Sequence, residues 1–247
     1  MADRIHTGIP GLDEITNGGF IKNQLILLSG TSGAGKTTLS AQFINSGLVE
    51  FKQNGVYLSF EEQPESIKAN VSAFGWDLDT PQKEGRFNFI KYDPYHVEDV
   101  FDIISNSVRD INAKRVVIDS ISALGLYLRD PVELRRMIFN LSLILRKLDC
   151  TTLIVSEMLP GENKGISRYG VEEFVADSVI VMYYERFQSA FTRSMQVWKS
   201  RGSDHSLKLH PYRITEKGIR VYPEEEAFAG TGPVSYTHLT LPTKRIV

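Results

Sequence analysis

Gly30-Thr31-Ser32-Gly33-Ala34-Gly35-Lys36-Thr37 is the stretch on which the reading of this chain turns. It fits the pattern G-x-x-x-x-G-K-[ST], and its flanks give that pattern a mechanism. Before it, Gln24-Leu25-Ile26-Leu27-Leu28-Ser29 is short, apolar and bounded by turn residues, which predicts a buried strand. After it, Thr38-Leu39-Ser40-Ala41-Gln42-Phe43-Ile44 has helical spacing and no breaker. A strand, a glycine-rich turn and a helix N-terminus aim several backbone N–H groups and a positive dipole at one point. Thr31, Ser32, Gly33, Ala34, Gly35, Lys36, Thr37 and Thr38 are therefore expected to cradle phosphates. In that arrangement Lys36 reaches the β- and γ-phosphates of a nucleotide such as ATP, and the Thr37 hydroxyl ligates Mg²⁺.

Working outward, strand and helix patterns alternate. Gly8, Pro10, Gly11, Gly18 and Gly19 punctuate residues 5–23, leaving room for a short helix. Residues 55–60, 86–92, 115–120 and 151–155 read as strands. Between them, helices are predicted from Pro64 toward Phe74, over 97–112, and from Pro131 to Leu148. The stripe Leu134, Ile138, Leu141, Leu145 and Leu148 is read as core. This alternation predicts parallel βαβ units in a doubly wound α/β sheet. After a polar loop through residue 170, strand patterns at 178–184, 193–199, 207–214 and 219–222 follow one another without helices, which predicts antiparallel strands along one edge.

The whole chain sets limits on partners and compartment. Its 247 residues suit one large α/β domain, assigned to residues 1–230. A net charge of −2 gives no general pull toward nucleic acid or anionic membrane. The single cysteine, Cys150, excludes an internal disulfide and reads as a buried structural thiol. No apolar run approaches bilayer length, so no membrane partner and a cytoplasmic protein are expected. Residues 231–247 have neither periodicity nor a place in this pattern and resemble translated adapter or vector sequence. They are expected to be non-native, poorly ordered and removable at Gly230 without loss of stability.

A phosphate loop needs an acid for the metal and a base for hydrolysis. Asp119 ends an apolar strand, the Walker B arrangement, and is assigned to Mg²⁺. Glu61 and Glu62 end a strand expected to lie near the phosphate-loop strand. A carboxylate there can take a proton from an attacking water, with Lys36 and Mg²⁺ compensating its charge. The sequence leaves both open as the base, and Glu61 is favoured as nearer the strand end. Lys199 and Arg201 share one face of an extended chain and can meet one anion together. Nothing in the pattern folds them back onto their own subunit's nucleotide, which leaves a neighbour's nucleotide as the alternative.

Several of these stretches together resemble one family. Thr7-Gly8-Ile9-Pro10-Gly11-Leu12-Asp13, the phosphate loop, Phe60-Glu61-Glu62, Phe74-Gly75-Trp76-Asp77, residues 167–175 and Trp198-Lys199-Ser200-Arg201-Gly202 through Gly218-Ile219 resemble the KaiC family, a branch of the RecA/RadA ATPases. The resemblance covers residues 4 to about 226 and is closest to single-domain members and to the N-terminal repeat of the clock protein. It implies a RecA-type fold and a hexameric homo-oligomer with ATP between subunits. It also implies catalytic roles for Glu61 and Glu62, a Mg²⁺ role for Asp119, and Lys199, Arg201 and His205 reaching the neighbour's nucleotide. Glu216 stands where the family has an Asp facing that nucleotide.

The clock protein has two tandem repeats and this chain has one. Where its second repeat carries adjacent Ser/Thr phosphoacceptors, this chain reads Glu172-Glu173-Phe174-Val175, so ATP hydrolysis is expected and autokinase activity is not. The resulting expectation is an ATP-driven switch for a protein partner. The competing expectation is a RadA-like, DNA-binding ATPase, disfavoured because residues 157–176 carry four Glu against one Lys and one Arg.

Overall fold

The computed structural model describes residues 3–93, 99–128, 130–159, 165–187 and 189–227. The 231–247 expectation lies outside them. Nine strands form one sheet: β3 (Leu25–Gly30), β4 (Gly55–Ser59), β5 (Phe87–Lys91), β6 (Arg115–Asp119), β7 (Thr151–Glu157), β8 (Ser178–Phe187), β9 (Ala190–Ser200), β10 (His210–Thr215) and β11 (Gly218–Val221). Their spatial order is β11-β10-β9-β8-β3-β7-β6-β4-β5. Every pairing from β8 to β5 is parallel, and β8-β9, β9-β10 and β10-β11 are antiparallel. A separate ribbon, β1 (Arg4–Ile5) with β2 (Phe20–Ile21), precedes the sheet. This is the mostly parallel α/β sheet with an antiparallel edge that the sequence predicts.

Helices cover both faces, which is why the strands read as unbroken apolar runs. Side chains alternate across each strand. Ile26 and Leu28 join one buried cluster under α2 (Lys36–Val49), with Leu39 and Phe43. Leu25 and Leu27 join the opposite cluster under α5 (Val100–Ile111) and α7 (Pro131–Lys147). Leu134, Ile138, Leu141 and Leu145 are buried there as core, as expected. Truncating a fully buried leucine such as Leu27 to alanine costs about 2–5 kcal/mol.

Some boundaries differ from the expectation, and each for a local reason. Three short helices were not foreseen: α4 (Asp79–Lys83), α6 (Ile121–Tyr127) and α8 (Glu172–Val175) are too brief to show a period. β10 begins at His210, not 207, because its pairing starts at His210↔Met195 while Leu207 is 78% exposed. The strand carrying Glu61 and Glu62 is not beside the phosphate-loop strand. β7 and β6 lie between β3 and β4. Cys150 is buried, its thiol near the carbonyl of Ala113.

Candidate nucleotide site

The strands of the parallel region all end at one rim, and a cavity of about 300 Å³ opens there. The phosphate loop supplies Ser32, Gly33, Gly35, Lys36 and Thr37 to its wall. Gly33 (φ 79°) and Gly35 (φ 93°) take the left-handed backbone that turns the loop. A Cβ on Gly35 would come 2.9 Å from Ile214 Cδ1, which would have to turn aside. The loop is anchored from behind. Thr31 Oγ1 accepts from the Tyr184 amide at 2.9 Å, and Tyr212 Oη donates to the carbonyl of Ala34 at 2.5 Å. Thr31 and Ala34 therefore support the loop, and neither they nor Thr38 line the cavity.

Lys36 Nζ donates to the carbonyls of Gly30 (3.0 Å) and Thr31 (3.1 Å). Burial lowers its pKa from the ordinary value, while the charges of Glu157, Asp119 and Glu61 oppose that shift. A cation held this way gains from an arriving anion. Thr37 Oγ1 donates to Asp119 Oδ2 at 2.9 Å, and Tyr57 Oη donates to the same oxygen at 2.6 Å. Burial pushes the Asp119 carboxyl up, against the pull of those hydrogen bonds and of Lys36. The donors suit Mg²⁺. One hydroxyl and one carboxylate meet at the phosphate rim, and no cluster of three metal-binding side chains exists among the described residues. Mg²⁺ commonly takes one or two carboxylates and completes its shell with water and phosphate oxygens.

Glu61 and Glu62 also line the cavity despite the two intervening strands. Ser120 Oγ donates to Glu61 Oε1 at 3.1 Å. The Glu62 backbone is pinned by Ser59, whose Oγ accepts from its amide (3.0 Å) and donates to its carbonyl (2.8 Å). Burial, then the charges of Asp119 and Glu61, raise the Glu62 carboxyl above its ordinary pKa. A carboxylate whose proton affinity is raised in this way is suited to accept a proton, so Glu62 stands as a candidate base beside Glu61.

Lys199 and Arg201 lie at the opposite rim. Ser200 pairs with Ser178 and Ser178 with Ile26, whereas Gly30 pairs with Met182. Four residues of strand separate the two levels, about 13 Å. Lys199 Nζ donates to the carbonyl of Glu173 (2.5 Å), and Arg201 Nη2 to that of Phe174 (3.0 Å). Neither lines the cavity. Both ring nitrogens of His205 are buried without a hydrogen-bond partner.

The family model described as "ATPase: KaiC" matches residues 5–226. The chain belongs to this family. A UPF0273 protein of Thermotoga maritima is 40% identical, with 91% of this chain and 98% of that protein covered. The circadian clock protein KaiC3 of Synechocystis is 34% identical, with 90% of this chain but 46% of that protein covered, in keeping with one repeat here. A crystal structure of a KaiC-like protein from Pyrococcus horikoshii superposes with a TM-score of 0.83 at 37% identity, covering 90% of this chain and all of that one.

This KaiC-family chain adds site residues that sequence reasoning missed. Glu157 ends β7 directly beside Gly30, lines the cavity and is the leading charge acting on Lys36. It too is an acid closing an apolar strand, the signal used for Asp119, but the reading stopped that strand at Val155. Arg193 donates to the carbonyl of Gly33 at 3.3 Å and lies over the Tyr184 ring. Nothing in its spacing marks it, because the return of β9 alone brings it there. Among the described residues no helix is long and apolar enough to cross a membrane.

Proposed function

We propose that this chain binds ATP with Mg²⁺ and hydrolyses it at sites shared between neighbouring copies in a ring of six. ATP turnover would switch the ring's shape for a protein partner. One observation carries the shared site: acids, phosphate loop and Lys36 occupy one rim of the sheet, and the cation pair Lys199–Arg201 the other. The cavity volume, at the floor of the range for small-molecule pockets, suits a phosphate chain and leaves the base and ribose to another surface.

In this reading the loop amides and Lys36 hold the β- and γ-phosphates. Thr37 and Asp119 would hold Mg²⁺, which would supply positive charge against the phosphates. Glu62 accepts the proton of the attacking water, and Ser120 fixes Glu61 beside it. Lys199 and Arg201 of a neighbouring copy stabilise the charge developing on the transferred phosphoryl group, a contribution of about 10³–10⁵ in rate where a cation is supplied in trans. Burial, then the Arg201 charge, lower the Lys199 pKa, and an anion between the two relieves that repulsion.

The test is native mass with and without ATP, together with turnover of Arg201→Ala. A nucleotide-dependent ring whose turnover falls at least a thousandfold in the variant supports the reading; full turnover in Arg201→Ala removes the shared site. A DNA-binding role has less to recommend it. Arg168, the basic residue of the described 165–176 segment, is spent on Glu157 at 2.8 Å. Binding to single-stranded DNA that ATP strengthens and salt weakens would reverse that order.

A further inference from the structure

The crossover from β7 to β8 must travel from the nucleotide rim to the opposite rim, because the two strands are parallel to β3. Residues 165–177 make that journey, and both ends are tied to groups assigned above. At the nucleotide rim, Arg168 Nη1 donates to Glu157 Oε2 at 2.8 Å, and the Arg168 amide donates to Ser156 Oγ at 3.2 Å. At the far rim, the carbonyls of Glu173 and Phe174 accept from Lys199 and Arg201.

Between them, the fully buried Glu172 binds the segment into one piece. Its carboxylate accepts from Ser156 Oγ (3.0 Å), Ser167 Oγ (2.7 Å) and the amides of Val171 (3.1 Å) and Tyr169 (3.4 Å). A buried carboxylate with three donors of its own, and the Ser167 hydroxyl shared with Glu173, resists local rearrangement, because breaking those bonds leaves a buried group unpaired. Motion at Arg168 therefore reaches Glu173 and Phe174 as a displacement of the whole segment.

Resting on the proposed nucleotide site, we propose that residues 165–177 form a coupling strap. Through the Glu157–Arg168 pair, it reports a γ-phosphate in the subunit's own cavity to Lys199 and Arg201. Glu157 shares its charge between Lys36 and Arg168. A γ-phosphate claims Lys36 and repels the Glu157 carboxylate, which shifts that balance toward Arg168. ADP engages Lys36 through its β-phosphate alone and brings no γ-phosphate charge toward Glu157, so it shifts that balance less. Arg168 is a positioning residue here, acting through Glu157 and the strap. The consequence is communication between successive sites: loading one cavity sets the cations offered to the next.

Hydrogen exchange on the full chain separates this inference from the reading beneath it. With a non-hydrolysable ATP analogue, amides 33–37 become protected, and those of 172–177 change exchange by at least fivefold relative to ADP. In Arg168→Gln the protection of 33–37 persists while the ATP-versus-ADP difference at 172–177 disappears, and in the isosteric Glu157→Gln that difference disappears as well. The double variant is no worse than either single one, as a shared interaction requires. A strap that merely supports the fold would change exchange in the variants without nucleotide and keep the ATP-versus-ADP difference. That result overturns the inference, as does a wild-type strap that fails to respond while 33–37 are protected. Absence of protection at 33–37 would instead overturn the nucleotide site itself.

Discussion

Glu62 and Glu61 stand side by side, yet their surroundings divide the work. Glu61 is held by Ser120, while burial, then the charges of Asp119 and Glu61, raise the proton affinity of Glu62. Glu62→Gln is therefore expected to lower kcat by about 10²–10⁴ with nucleotide affinity nearly unchanged. Glu61→Gln should lose less. Steady-state turnover beside equilibrium nucleotide binding checks this, and a double variant with full turnover would remove both carboxylates. Cys150 gives a second residue-scale expectation. Burial pushes its thiol up to about 12, so thiolate is scarce at pH 8 and the side chain is covered. A disulfide reagent should titrate it only after denaturant is added.

Among the elements, β6 carries two opposed burdens: Asp119 at its end and Arg115 at its start. The Arg115 side chain is fully buried and its pKa is pushed down to about 9 by that burial. It donates to the carbonyls of His6, Thr7 and Phe43 and to Gln53 Oε1, and lies over the rings of Phe43 and Phe51. It thus joins the N-terminal segment and α2 to the sheet. Arg115→Met leaves those carbonyls unpaired, with an expected loss of about 3–5 kcal/mol in urea unfolding. Most elements were legible because their chemistry is local: an apolar run before Gly30, a Pro opening a helix at 131, a hydrophobic stripe at spacing 4 and 3. The lateral order of strands was not, because the same apolar runs fit several orders. Nothing local shows that two strands separate β4 from β3, or that Glu157 ends β7 beside Gly30. The acids at 61, 62 and 119 were legible as strand ends. Their shared cavity with Glu157, Tyr57 bonded to Asp119 and Arg193 at Gly33 depended on β4, β7 and β9 taking particular neighbours.

For the whole molecule, the expectation that bears most weight is complementation. Subunits with Glu62→Gln keep their cations, and subunits with Arg201→Ala keep their acids. Each should be inactive alone, and mixing them should restore turnover at interfaces pairing one intact half from each. Measuring turnover across mixing ratios checks this, and a flat response would place every catalytic group within one subunit. The separation of the two rims by some 13 Å of strand also constrains symmetry. A two-fold dimer presents the same patch from both partners, and one patch cannot easily span two opposite rims of a sheet. Copies that complete each other's sites must instead stack head to tail. Such a series either closes, giving as many complete sites as subunits, or stays open with an unfinished cavity at one end and idle cations at the other. Closure is then a catalytic matter as well as an architectural one, since only a closed assembly leaves no subunit waiting for its neighbour.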